Sequence, residues 1–336
     1  MRSEMSVAAP AREITFAQAV REALAEEMRH DPAVVIFGED VAEAGTPFKV
    51  LSGLVEEFGR DRVVDTPISE AGFTGIAVGA AMTGLRPVVD IMFGDFLTLA
   101  MDQIVNQAAK VHYMSGGRLT VPMVVRTTMG ATRRSAAQHS QSLQALVSHI
   151  PGLKVVLPST PYDAKGLLKS AIRDANPVVF FEDKMMYTLK GTVPEEEYWL
   201  PFGVADVKRH GSDVTIVATS SMVQVALEAA DGLRSDGIDA EVIDPRTTVP
   251  LDVATIVESV KRTSRAIVVD EGHRRYGVTA EIAAVIAEEA FSYLDAPVRR
   301  LGALDVPVPF SPVLEDRTVP TAAQVRETAR ELCGRA

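Results

Sequence analysis

Residues 65–113 read DTPISEAGFTGIAVGAAMTGLRPVVDIMFGDFLTLAMDQIVNQAAKVHY, and the rest of the chain is organised around this stretch. Pro67 signals a turn, and the carboxylate Glu70 follows it. Next comes a run holding Gly72, Gly75, Gly79 and Gly84 with several alanines. An apolar strand over 87–93, the aromatic Phe96 and a helical pattern through Leu99, Ile104, Ala108 and Val111 complete it. Each glycine inside a helix costs about 1 kcal/mol relative to alanine. The expected compensation is close approach of another backbone, inside the chain or at a subunit interface, and spacing does not choose between them. The run does not match GxGxxG in a strand–turn–helix setting, and no Walker A pattern is present, so neither a Rossmann nicotinamide site nor a P-loop is supported.

Outward from this stretch the chain alternates. Towards the N-terminus, TFAQAVREALAEEMRHD predicts a helix capped by Thr15 and ended at Pro32, with an apolar stripe of Ala19, Ala23, Leu24 and Met28. AVVIFGED reads as a buried strand ending in charge, 41–50 as a loop and 51–60 as a short helix. Towards the C-terminus, 121–127 and LKVVLP read as strands, and 130–149 as a polar stretch ending in a helix. TPYDAKGLLKSAIR reads as a helix with Thr160 as N-cap and Pro161 at its first position, before the strand PVVFFED. Strands alternating with helices imply a mostly parallel sheet covered on both faces. Pro194, Glu195–Glu197, Pro201 and Gly203 mark 184–203 as a linker or domain edge. A second, smaller α/β unit follows, with strands DVTIVAT, DAEVID and RAIVVD and helices over 221–235, 250–262, 277–291 and 320–333.

The chain has 336 residues, enough for two domains, and its 47% hydrophobic content can fill their cores. A formal net charge of −11 argues against nonspecific nucleic-acid binding. The single cysteine, Cys333, allows neither a disulfide framework nor a cysteine-rich metal site. The apolar runs are too short to span a bilayer, and residues 1–12 lack the apolar core of a secretion signal. A cytoplasmic protein with a loose tail over Met1–Arg12 is the expectation.

Three side chains stand out chemically. Glu70 reads either as a helix cap or as a sheltered carboxylate that shares a proton with a ring nitrogen. Phe96 can stack on a flat ring or simply pack in a core. His139, in GATRRSAAQHSQ, has the most suggestive setting of the six histidines. Gly130 permits an unusual turn there, Arg133 and Arg134 can meet an anion, and imidazole titrates where proton transfer needs it. A plain surface-loop histidine is the alternative. Ser140 beside it is no hydrolase signal, since no GxSxG elbow is present. Met185 and Met186 beside Tyr187 could line a flexible apolar surface.

The runs TPISEAGFTGIAVGAAMTG, MDQIVNQAAKVHYMSGG, AAQHSQS and PGLKVVLPSTPYDAKGLLKSAIRDANPVVFFE resemble the beta subunit of the E1 component of 2-oxo acid dehydrogenase complexes, which are thiamine-diphosphate enzymes. The resemblance covers about residues 14–332. It implies a transketolase-like pyrimidine-binding α/β domain over 14–190 and a transketolase C-terminal-like domain over 203–332. It also implies an α2β2 heterotetramer whose alpha subunit holds the diphosphate and magnesium, and no GDG…N element for these occurs here. By resemblance, Glu70 faces N1′ of the aminopyrimidine, Met92 and Phe96 pack on that ring, and His139 assists acyl transfer to the lipoyl group of E2. Met123, Ala171, Asp174 and Asn176 match a structural potassium site.

The chain departs from the family pattern at Arg133-Arg134, at DEGHRRYG and at DPRTTVP. Extra positive charge near the site entrance could select an anionic substrate, bind E2 or hold a loop. The function expected is an E1 beta subunit acting on pyruvate. The alternatives are the acetoin or branched-chain 2-oxo acid branch and, more distantly, a sugar transketolase-like enzyme or a noncatalytic scaffold.

Overall fold

The structure, a computed structural model, describes residues 12–335. The expected loose tail therefore lies outside the described residues except for Arg12. Fourteen strands run in the order β1 (Arg12–Thr15), β2 (Val34–Gly38), β3 (Val63–Asp65), β4 (Arg86–Ile91), β5 (Val124–Met129), β6 (Lys154–Val156), β7 (Val178–Asp183) and β8 (Lys190–Val193), then β9 (Asp206–Arg209), β10 (Val214–Ala218), β11 (Ala240–Asp244), β12 (Thr247–Val249), β13 (Ala266–His273) and β14 (Arg299–Ala303). They form a seven-stranded sheet ordered β12-β6-β7-β5-β4-β2-β3, a five-stranded sheet ordered β14-β13-β10-β11-β9 and a two-stranded sheet of β1 and β8. Every pair in the first sheet is parallel except β12 with β6, and every pair in the second except β9 with β11. β5 and β7 are buried at every position, as central parallel strands should be. This is a transketolase-like α/β architecture, a larger unit followed by a smaller one.

Local chemistry explains the helices around the first sheet. Thr15 Oγ1 accepts from the Gln18 amide at 3.2 Å while Gln18 Oε1 accepts from the Thr15 amide at 2.8 Å, a reciprocal cap on Phe16–His30. Its stripe of Ala19, Ala23, Leu24 and Met28 is buried, and the helix packs against Pro161–Arg173. The latter starts at Thr160, whose Oγ1 accepts from the Asp163 amide at 3.0 Å. The buried Lys165 and Lys169 reach across this seam to Glu26, each at 2.7 Å.

Several expectations need correction. Residues 184–203 are not a plain linker. Lys184–Thr188 makes a short 3-10 turn, and β8 pairs antiparallel with β1. Met186 and Tyr187 are buried in the core rather than lining a flexible surface, although Met185 is exposed. The strand expected from Val121 starts at Val124, because Pro122 can donate no ladder bond. The helix over 98–113 is interrupted by a π segment at Gln103–Ala108. The second unit has three short strands, β9, β12 and β14, beyond those expected. β12 leaves it and caps the edge of the first sheet.

Candidate active site

In an open parallel sheet, loops at the carboxyl ends of the strands gather the chemistry. Glu39 follows β2, Glu70 follows β3, and Met92 and Phe96 follow β4. His139 lies in the loop after β5, and Lys184 follows β7.

Glu70 is the first residue of the helix Glu70–Met82 and is only 7% exposed. The helix N-terminus favours its negative charge. An ordinary cap would face water, and this one faces a second acid. Burial raises the Glu39 carboxyl above its usual range, and the charge of Glu70 adds to that rise. Glu39 Oε1 is buried without a hydrogen-bond partner, as are Thr66 Oγ1, Thr74 Oγ1 and Gln103 Oε1 nearby in sequence or on facing helices. The ion pairs found among the described residues include neither acid. Each such orphan costs about 1–3 kcal/mol. A ligand that brings donors, such as the protonated nitrogen and amino group of an aminopyrimidine, fits this set.

The second group is aromatic. The rings of Phe93 and His139 lie 4.5 Å apart and those of Phe96 and His139 5.3 Å apart, both edge-to-face. Phe93 also packs edge-on against Phe96 at 5.8 Å and against Phe48 at 6.0 Å. His139 is therefore held against aromatic faces, half-buried, and is not a free surface histidine. Met92 borders a small cavity with Phe48, Asp90, Arg126, Thr127, Thr128 and Tyr187. Its carbonyl accepts from Thr128 Oγ1 at 2.8 Å.

That cavity leads to a buried ion cluster. Arg126 grips Glu182 through Nε and Nη2 at 2.6 and 2.7 Å and bonds Asp90 through Nη1. Tyr187 donates to Glu182 at 2.9 Å. Burial pushes the Asp90 carboxyl up to about 6, against the pull of Arg126.

Other expected features fall differently. Arg134 pairs with Glu315 and Asp316 at 2.6 Å each, so its charge is spent inside the chain. Arg133 lies over the Phe48 ring at 5.6 Å. The glycine face of Glu70–Met82 meets no close backbone within the chain. A side chain at Gly79 would meet nothing within 4 Å, and Ile76 on the same face is 62% exposed. Met123, Ala171, Asp174 and Asn176 do share one corner. The Val178 amide donates to Met123 O, the Asp174 amide to Ala171 O, and Arg86 Nη1 to Ile172 O and Asp174 O. Each carbonyl keeps a second lone pair, so a weakly held monovalent cation is compatible with these bonds. Among the described residues no group of three or more His, Cys, Asp or Glu side chains could hold a metal ion. No helix among them is long and apolar enough to cross a membrane.

Sequence reading missed Glu39, Phe93 and Lys184. For Glu39 the signal was present, a charge ending a buried strand. Nothing in the spacing marks Phe93 over Phe96. Lys184 was lost in the assumed linker.

Comparison with known proteins supplies the family. The model of the transketolase pyrimidine-binding domain matches residues 12–190, and that of the transketolase C-terminal domain matches 203–325. The beta subunit of acetoin:2,6-dichlorophenolindophenol oxidoreductase from Bacillus subtilis is 52% identical, over 96% of this chain and 98% of that protein. The pyruvate dehydrogenase E1 component subunit beta of Rickettsia felis is 50% identical, over 96% and 98%. A solved split-gene transketolase, an inactive beta4 tetramer, superposes with a TM-score of 0.79 at 24% identity, over 96% and 98%, and attests the fold alone. With half of its residues shared along nearly its whole length, this chain belongs to the E1 beta subunits of thiamine-diphosphate-dependent 2-oxo acid dehydrogenases, in the group that spans the pyruvate and acetoin branches.

Proposed function

We propose that this chain holds the aminopyrimidine of thiamine diphosphate, with Glu70 at its ring nitrogen, and that it decarboxylates pyruvate together with an alpha subunit. The observation that carries this is the buried Glu70, which forms no ion pair among the described residues and stands beside the half-buried Glu39, whose Oε1 has no partner. When bound, the cofactor supplies a nucleophilic carbon for the 2-oxo group and an electron sink for loss of carbon dioxide. Glu70 holds a proton on the pyrimidine nitrogen in a low-dielectric setting, where such a bond is strong. Phe96 and Met92 border the ring and keep water from it. His139, fixed between Phe93 and Phe96, donates a proton or a hydrogen bond as the acyl group passes to the lipoyl group of E2. Among the described residues no cluster of acids and histidines is built to hold a metal, and in this reading the diphosphate with its magnesium belongs to the alpha subunit. The open glycine face around Gly79 and the exposed Ile76 suit a partner helix, in keeping with an α2β2 assembly. A potassium ion at the corner of Met123, Ala171, Asp174 and Asn176 would brace the first sheet.

A second reading, acetoin cleavage, is favoured by the Bacillus subtilis relative. One assay separates them. The chain is co-expressed with its alpha partner, supplied with thiamine diphosphate and magnesium, and given pyruvate, acetoin or a branched 2-oxo acid. Acyl transfer to lipoyl E2 is then measured. Transfer at least tenfold faster from pyruvate supports the proposal. Preference for acetoin moves the chain to that branch, and no transfer from any donor ends the reading.

A further inference from the structure

His139 sits in a loop, 130–143, with no regular structure and with left-handed backbone at Thr132, Arg134 and Ala136. Such a loop does not fix an imidazole by itself. Its own backbone bond at this point, from the His139 amide to Ala136 O, is long at 3.4 Å. Ser140 Oγ next to it is buried without a partner. One contact is much stronger. The ammonium of Lys184 donates to the carbonyl oxygen of His139 at 2.5 Å. Lys184 is fully buried, so this charge-assisted bond is not diluted by water. The same ammonium lies 5.7 Å from the centroid of Phe93, the ring that packs on His139 at 4.5 Å. Lys184 therefore braces both the backbone of His139 and the aromatic face behind its imidazole.

The cation has acids to balance it. Asp183 precedes it, and Asp183 Oδ2 is buried without a hydrogen-bond partner. Glu271, on β13 of the second unit, and Asp183 both crowd Gly130, where a side chain would lie 2.8 Å from Asp183 Oδ2 and 2.9 Å from Glu271 Oε2. Glu271 Oε1 in turn accepts from the Ala131 amide at 2.8 Å. The loop is thus tied at its start to Glu271 and at His139 to Lys184. Burial favours the neutral amine of Lys184, and Asp183, Glu271, Asp95 and Glu315 oppose that. An ammonium kept in such a place needs a reason, and the carbonyl of His139 provides one.

We infer that Lys184 is a positioning residue for His139, holding its imidazole in place for transfer of the acyl group to the lipoyl acceptor. The inference rests on the proposed role of His139. It extends that role to a buried cation that acts through the His139 backbone and the Phe93 ring.

The test uses the complete reconstituted complex and the near-isosteric Lys184→Met. Two rates are compared, acyl transfer to lipoyl E2 and donor-dependent reduction of 2,6-dichlorophenolindophenol, which takes electrons without a lipoyl group. Loss of positioning lowers the ratio of the first to the second about tenfold. In a His139→Ala background the same substitution leaves that ratio unchanged, which a general structural role would not do. Amide exchange over 136–142 rises in Lys184→Met. Equal loss of both rates, an effect that persists without His139, or unchanged exchange over 136–142 overturns the inference. If His139→Ala itself leaves transfer intact, the role of His139 fails, and the exchange measurement still decides whether Lys184 holds the loop.

Discussion

Two acidic clusters stand one strand apart at the carboxyl edge of the first sheet, and they are built oppositely. Asp90 on β4 is paired in register with Gly38 on β2, and Glu39 follows directly. Asp90 shares Arg126 with Glu182, and Tyr187 completes the set. Glu39 and Glu70 have no cation between them; the charges of Glu70, Asp40 and Asp90 all press on Glu39, only the Ser69 amide relieves it, and Glu39 Oε1 has no partner. The first cluster is satisfied by the chain, and its work is to lock β4, β5 and β7 together beneath the site. The second is left incomplete, and an incomplete buried set at the carboxyl edge of a parallel sheet is suited to a ligand that completes it.

The contrast is broken most severely by Arg126→Met. Two buried carboxylates would lose their cation, a loss of about 3–5 kcal/mol in folding stability. Chemical denaturation of the purified variant measures it, and a loss below 1 kcal/mol would show the cluster to be dispensable. Glu39→Gln acts on the other cluster with the opposite sign. Removing one of two facing like charges should stabilise the free chain by about 0.5–1 kcal/mol. Denaturation without cofactor tests that, and destabilisation would show that the bond from the Ser69 amide outweighs the repulsion.

The first cluster also sets a pH trend. Asp90 titrates at about 6 in the folded chain, against 3.8 as its ordinary value. An acid with a raised folded value binds its proton more tightly when folded. Its contribution to stability is complete below 3.8, is lost as pH rises from 3.8 to 6, and is flat above that. The difference in stability between wild type and Asp90→Asn should therefore change between pH 4 and 6 and hold constant from 7 to 8. A difference that is flat across the whole range contradicts the assignment.

Both clusters also show what sequence can carry. The capped helices and the parallel strands were legible because each is signalled within a few residues, and Glu70, Phe96 and His139 stood out as candidates for the same reason. Arg126 was not, since its partners lie 36 and 56 residues away and meet it only through the strand order β7-β5-β4. For the same reason the Arg133-Arg134 pair left three readings open, of which holding a loop is the one that Arg134 meets. Arg134 is cancelled by Glu315, 181 residues on, which the helix Pro312–Glu315 brings to the loop. β9, β12 and β14 are three to five residues long, too short for alternation to show, and the partners they pair with are distant in the chain.

The central claim is that Glu70 is unpaired because the cofactor's ring is its partner. Glu70→Gln keeps the size of the side chain and removes the charge. In the reconstituted complex, thermal stability without thiamine diphosphate should be equal to or above that of wild type, while donor turnover falls at least about hundredfold. Turnover within tenfold of wild type, or a clear loss of stability before any cofactor is added, would mean that Glu70 serves the fold and that the site lies elsewhere.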